Sequence, residues 1–322
     1  MGRGILLTGL FALGVGIISC AGGGGLSDLS GLSKEQVYRA AEAVMGSKWN
    51  TTGMGMGISG YVGGSSGSLS TLAFKVHDQL QKKLKEGVTG FSDINRTCPE
   101  GGRVTGHVDQ NNGSGSFNIT FDNCSYDSGT TITCTVEGSF SVDQSTQQVN
   151  YSFTMKQGCQ MASQEESMEV SGDLTMNMSL RVCGQTVDKY KGSFTVKGGP
   201  VTYTSGSNSA TVSFDNFKVA EDAGCTNPGV LQTTIEGGIS YSDNFCVNGE
   251  VNLQVSTPEP LTMDSNNYQL SCSGKVSIND GTVEIVYNSD CTYSVYRDGQ
   301  PIAENVGSDY FGETVDQCQV PS

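Results

Sequence analysis

From about residue 98 onward the chain alternates apolar and polar residues with period two, and no other feature restricts its fold as strongly. "TITCTVEGSFSV" places Ile132, Cys134, Val136, Phe140 and Val142 on one face, and "VNYSFTM" does the same for Val149, Tyr151, Phe153 and Met155. Such a pattern is satisfied by a sheet with one dry face and one wet face, which is how antiparallel sheets are built. Similar runs recur near 103–109, 116–122, 170–182, 189–197, 200–204, 209–219, 231–241, 247–256, 267–278, 282–288 and 292–297. About thirteen strands exceed a small sandwich, so the expected fold is mainly β. It is a large antiparallel meander closing as a sandwich, an open barrel or two related sheets. The 44 Gly and 7 Pro agree with short strands joined by many turns. Two echoes, "FNITFDNC" (117–124) with "ATVSFDNF" (210–217) and "CTVEGSFSV" (134–142) with "TTIEGGISY" (233–241), suggest a duplication of about 98–200 and 201–322.

Two short α-helices are expected ahead of this body, in a helical segment over 33–90. Ser33-Lys34-Glu35-Gln36 has the form of a capping box opening a helix through Val37, Ala40, Ala41 and Val44. The Gly- and Ser-rich stretch 50–68 is expected to break it. Leu69, Leu72, Ala73, Val76, Leu80 and Leu84 then recur at helical spacing, with Lys82, Lys83 and Lys85 before a stop at Gly87.

The chain has 11 cysteines. With Cys20 set aside as part of a leader, ten remain: Cys98, Cys124, Cys134, Cys159, Cys183, Cys225, Cys246, Cys272, Cys291 and Cys318. None forms C-x-x-C and the chain has only 2 His, so the cysteines read as disulfide partners and not as a zinc or redox site. Hairpin register narrows the pairing. Asp280-Gly281 suits a type I′ turn, which sets Cys272 opposite Ser289 and Cys291 diagonally across. If Val142 faces Val149, Cys134 faces Gln157 and Cys159 takes the same diagonal place. Each bridge then needs a modest adjustment, such as a bulge beside Gly158 or Asn288. Cys98–Cys124 brackets the first hairpin, although Cys124 breaks the parity of Phe117, Ile119 and Phe121. Cys225–Cys246 and Cys183–Cys318 are the expected remaining pairs.

The formal charge of -15 is uneven: residues 26–90 carry 7 Lys or Arg against 5 Asp or Glu, and residues 91–322 carry 10 against 28. An acidic body of this kind repels phosphate backbones, so nucleic acid is not an expected partner. Catalytic patterns are lacking as well. His77 and His107 have no Ser or Cys motif beside them, and "GSSG" at 64–67 lacks nucleophile-elbow spacing. Glu165-Glu166 is an ordinary neighbour pair in an acidic chain. "DQNNGSGS" (109–116) lacks the closing Glu of a calcium loop and reads as a hairpin turn. "GMGMG" has no His or Cys near it to complete a soft-metal site. No catalytic residue, metal or cofactor is expected. The Asn-x-Ser/Thr sites at Asn112, Asn118 and Asn150 arise freely in such a composition.

Arg3 followed by a 14-residue, mostly apolar run over Ile5–Ile18 reads as a signal peptide, too short for a typical membrane span. The end of that run, Ile17-Ile18-Ser19-Cys20, resembles the lipobox of bacterial lipoproteins, and the body resembles β-rich, disulfide-containing envelope lipoproteins of no known role. The resemblance implies cleavage after residue 19, diacylglycerol on the Cys20 sulfur and acylation of the new amino terminus by palmitate-like chains. Several chains make a stable anchor where one is marginal, each buried methylene adding about 0.8 kcal/mol. Ala21-Gly22-Gly23-Gly24-Gly25 then begins a tether over 20–32. Ala21, in the place where Asp would favour inner-membrane retention, points to the outer membrane, with its inward or outward face left open. The chain thus divides into 1–19 signal peptide, 20–32 lipidated cysteine and tether, 33–90 helical segment and 91–322 β body. The expected role is a non-enzymatic structural, adhesive or partner-binding module of the bacterial envelope, held to the membrane by acyl chains. The alternative is a carrier of lipid or another hydrophobic ligand.

Overall fold

The alternating runs form strands, and the strands form one sheet. A computed structural model of the chain describes residues 29–56 and 90–307, except 112, 128, 144, 147, 164–165, 184–188 and 265–270, together with Cys318. The leader with Cys20, His77, "GSSG" and the expected second helix lie outside the described residues. The strands are β1 (Gly90–Thr97), β2 (Arg103–Asn111), β3 (Ser114–Asp127), β4 (Thr130–Asp143), β5 (Gln148–Met155), β6 (Cys159–Ala162), β7 (Glu166–Val170) and β8 (Leu174–Val182). They continue as β9 (Tyr190–Ser205), β10 (Asn208–Ala223), β11 (Val230–Asp243), β12 (Val251–Asp264), β13 (Ser271–Ile278), β14 (Val283–Tyr287), β15 (Tyr293–Arg297) and β16 (Gln300–Val306).

All 16 belong to one antiparallel sheet in near-sequential order, so the meander is observed as a single sheet and the two-sheet alternative is set aside. Among the described residues β1 pairs with β2 and β16 with β15, with no ladder joining the two edges. Off the main path, β6 continues β5 and pairs with β4 and β7, while β7 precedes β8 and pairs with β6 and β9. The predicted strands 189–197 and 200–204 are one strand, β9, which runs through Gly198-Gly199-Pro200. The predicted run 170–182 is divided between β7 and β8. β1, β6 and β16 were not expected: "GFSDINRT" and "QPIAENV" offer few apolar residues, and pairing with a neighbouring strand makes them extended.

Among the described residues one α-helix, α1 (Lys34–Met56), lies on the sheet. Its start is the expected capping box: the Gln36 N–H donates to Ser33 Oγ at 3.2 Å and the Ser33 N–H donates to Gln36 Oε1 at 2.9 Å. The helix continues past the break expected at residue 50, because adding a turn to a formed helix costs little even through Gly53. Val37, Tyr38, Ala40, Ala41, Val44 and Met45 are buried and α1 packs on β9 to β12 and β14 to β16. These residues belong to one hydrophobic cluster with the buried residues of the strands. Burying a Val- or Met-sized side chain contributes roughly 1.5–3 kcal/mol. Val142, expected on the core face, is 38% exposed because β4 overshoots the core at its end.

The sheet has two distinct ends. At the proximal end β1 stops and β2 starts, β11 stops and β12 starts, and β15 stops and β16 starts; α1 also begins there. Leu29 and Leu32 are buried, Arg297 Nη1 donates to the Leu32 carbonyl at 2.7 Å, and Gln36 Nε2 donates to the Cys246 carbonyl at 2.9 Å. The distal end carries the β4–β5, β8–β9, β10–β11 and β14–β15 turns.

Five disulfides bind this frame: Cys98–Cys124, Cys134–Cys159, Cys183–Cys225, Cys246–Cys318 and Cys272–Cys291. The remaining two expected pairs are corrected, Cys225 joining Cys183 and Cys246 joining Cys318. Cys183 follows β8 and Cys225 follows β10, so their bridge crosses the end of β9, a relation between non-consecutive strands that hairpin register does not reveal.

A neutral polar depression as candidate binding site

The face of the sheet turned away from the core supplies the candidate site. On β4, β5, β8 and β9 the residues of core parity are Phe140, Tyr151, Met178 and Phe194, and their neighbours point the other way. Register then builds two polar rows. Ser116, Ser139, Ser152, Asn177 and Thr195 stand side by side across β3, β4, β5, β8 and β9. Next to them run Ser114, Ser141, Asn150, Ser179 and Ser193. Because most of these side chains are short, the surface sinks into a depression of about 310 Å³ lined by eight of them together with Phe140, Tyr151 and Met178.

The depression carries no formal charge in a chain of net -15. Part of its polar lining is already ordered. Gln148 Nε2 donates to Asn150 Oδ1 at 3.0 Å and to Ser179 Oγ at 3.1 Å, and Asn150 Nδ2 donates to Ser141 Oγ at 3.3 Å. Charged groups begin one row away: on one side Lys156 bonds Glu137 and reaches Asp173 at 3.3 Å, and on the other Arg181 and Lys191 stand side by side, Lys191 reaching Asp222 at 3.4 Å. The Glu137 contact holds the Lys156 ammonium above its usual value despite some desolvation. The arrangement can hydrogen-bond a neutral polar surface, and it presents no nucleophile beside a base.

A second cluster lies under α1 at the proximal end. Arg39, its side chain 5% exposed, donates through Nη1 to Glu42 at 3.0 Å and through Nε to the Tyr241 hydroxyl at 3.3 Å, and it stands 3.6 Å from Asp243. The Tyr241 hydroxyl donates to Asp243 Oδ2, while Oδ1 accepts the N–H groups of Phe245, Cys246 and Val247 at 3.1, 2.7 and 2.8 Å. The Arg39 guanidinium also lies 4.9 Å over the Phe245 ring. Desolvation opposes its charge, but Tyr241, Glu42 and Asp243 hold its pKa above the usual arginine value. Apart from Arg39 Nη2, which is buried without a hydrogen-bond partner, the groups of the cluster tie the helix to β11 and the turn that follows it, a structural role.

The residues singled out in the sequence are dispersed. His107 lies on β2 between Asp93 and Asn118, and "DQNNGSGS" spans the β2–β3 turn. Glu166 opens β7, while Glu165 and Asn112 lie outside the described residues. Asn118 and Asn150 sit on the polar face, Asn150 within the depression. Among the described residues no three His, Cys, Asp or Glu converge as a metal site. The apolar parity, which defines the core face, does not mark the depression. The signal was in the other parity, the Ser, Asn and Thr of "GSFSV", "VNYSF", "MNMSL" and "KGSFT".

Comparison with known proteins adds one relative. An uncharacterised protein of Aquifex aeolicus is 26% identical over 201 residues, covering 58% of this chain and 58% of that protein. No family model matches the chain, and no solved structure matches it.

Proposed function

We propose that this chain is a lipid-anchored, extracytoplasmic module of the bacterial envelope that binds a partner without catalysing a reaction. The observation that carries the reading is the cysteine economy: ten cysteines pair with one another, and the eleventh, Cys20, stands at the end of a lipobox-like segment. Five structural disulfides favour an oxidising compartment. The neutral polar depression gives such a module a surface suited to a partner rich in hydroxyl or amide groups. Over β9 to β12 and β14 to β16, α1 packs on the core face of the sheet, which supports a packed core over the carrier alternative. The test is Cys20→Ser in the host cell. The parent chain is expected in the membrane fraction with the mass of an acylated amino terminus, and the variant in the soluble fraction without it. A parent chain lacking the acyl mass, or a variant that keeps it, would overturn the anchor.

A further inference from the structure

We infer that the anchor holds the molecule by its proximal end, so that the polar depression at the distal end is presented away from the bilayer to a partner outside the membrane. This rests on acylation of Cys20. Leu29 is fixed by burial at the proximal end, and Arg297 holds the adjoining Leu32 carbonyl there. Nine residue steps separate Cys20 from Leu29 and, however arranged, span at most ~32 Å. A strand such as β4, 14 residues long, extends ~46 Å. The proximal end is therefore kept near the bilayer by a leash shorter than the sheet. Ser141, Asn150, Ser179 and Ser193 lie next to the distal β4–β5 and β8–β9 turns, and Ser141 is ten steps, or ~33 Å, along β4 from Thr131 at the proximal end.

Tilting the sheet flat would bring the depression down, but charge opposes it. The β body carries 28 acidic against 10 basic residues and would meet anionic headgroups. The upright arrangement keeps that surface in solvent, with the proximal turns, including Arg297 and Gln300, toward the membrane. A partner for the depression must then reach it from a second surface or from solution.

The acylated full chain is reconstituted in phosphatidylcholine vesicles containing phosphatidylglycerol and a headgroup-linked acceptor dye. A donor dye is carried on a non-natural amino acid replacing either Gln300, exposed at the proximal β15–β16 turn, or Asn227, exposed at the distal β10–β11 turn. Energy transfer from position 300 is expected to exceed that from position 227 at least threefold. Equal transfer, or stronger transfer from position 227, in protein that floats with the vesicles would overturn the orientation while leaving the anchor intact. Protein that carries no acyl group and does not float would overturn the anchor reading, and the orientation with it.

Discussion

Asp243 shows how much of the molecule one side chain can organise. Its buried carboxylate caps the turn after β11 with three N–H acceptances and also receives Tyr241 and Arg39, joining a turn, a strand and the helix at one point. Such a group adds little when compared with a well-packed apolar substitute, yet removing it strands its partners without water. Asp243→Ala should therefore lower stability by about 3–5 kcal/mol in urea unfolding. Asp243→Asn, which keeps an acceptor for the N–H groups, should cost less. A loss under ~1 kcal/mol for the alanine variant would mean that this cluster does not govern helix docking. Little of this was readable in advance. Arg39 and Glu42 look like an ordinary exposed pair three residues apart on a helix, and only the fold brings in Tyr241, 202 residues away.

At the scale of elements, what was legible was local. The Asp280-Gly281 turn has left-handed φ values of 55° and 91°, and the register it implies runs through Ile278↔Val283 to Lys275↔Val286. Val142↔Val149 is likewise observed, but the ladder shifts beyond Met155, so that Ile132 faces Met161 and Thr133 faces Gln160. That shift brings Cys159 opposite Cys134. Parity alone mispredicted Cys124; a bulge at Asp122-Asn123, with Asn123 at φ 46°, turns it back into the core. The same device recurs in the echoed segment. Asn216 has φ 50°, its amide donates to Asp215 at 2.9 Å, and the register shifts on both sides of β10. The second echo is not placed alike: Phe121 faces Cys134, whereas Phe214 faces Ile239, six residues beyond the position the echo matches to Cys134. Opposite the second bulge, Gly237 has φ 111°, and a Cβ there would stand 2.3 Å from the Asn216 carbonyl oxygen. Gly237→Ala is therefore expected to lose well over ~1 kcal/mol, since both the conformation and the space are unsuited to a side chain. Lys218→Ala beside it, removing an exposed ion pair with Glu236, should change stability by less than ~1 kcal/mol. Thermal unfolding of the two variants would settle the contrast, and equal losses would refute the steric account.

For the whole molecule, periodicity announced a large antiparallel meander, while its continuity depended on contacts that no short window contains: β7 with β9, Cys246 with Cys318, and α1 with seven strands. Several turns at the distal end are held by aspartates, and this gives that end a response to acid. At the distal end Asp143 accepts from Ser145 and Thr146, and these bonds hold its carboxyl down to about 2. Asp290 is lowered by Thr292 in the β14–β15 turn. Burial works against the charge of Asp222, but hydrogen bonds from Thr226 and Cys225 outweigh it and leave its carboxyl below the ordinary range. A carboxylate held below its unfolded value near 3.8 supports the fold in full above that pH and loses its contribution as pH falls toward about 2. The distal turns should thus open in acid while the core ladders persist. Hydrogen exchange at the Ser145, Cys225, Thr226 and Thr292 amides is expected to accelerate between about pH 4 and 2, beyond the intrinsic pH effect seen in an unfolded peptide. Asp143→Asn should remove most of the pH dependence at Ser145 and Thr146 and leave that at Thr292 unchanged. Exchange at all these amides that simply follows the unfolded reference down to pH 2 would show that the aspartates do not hold this end.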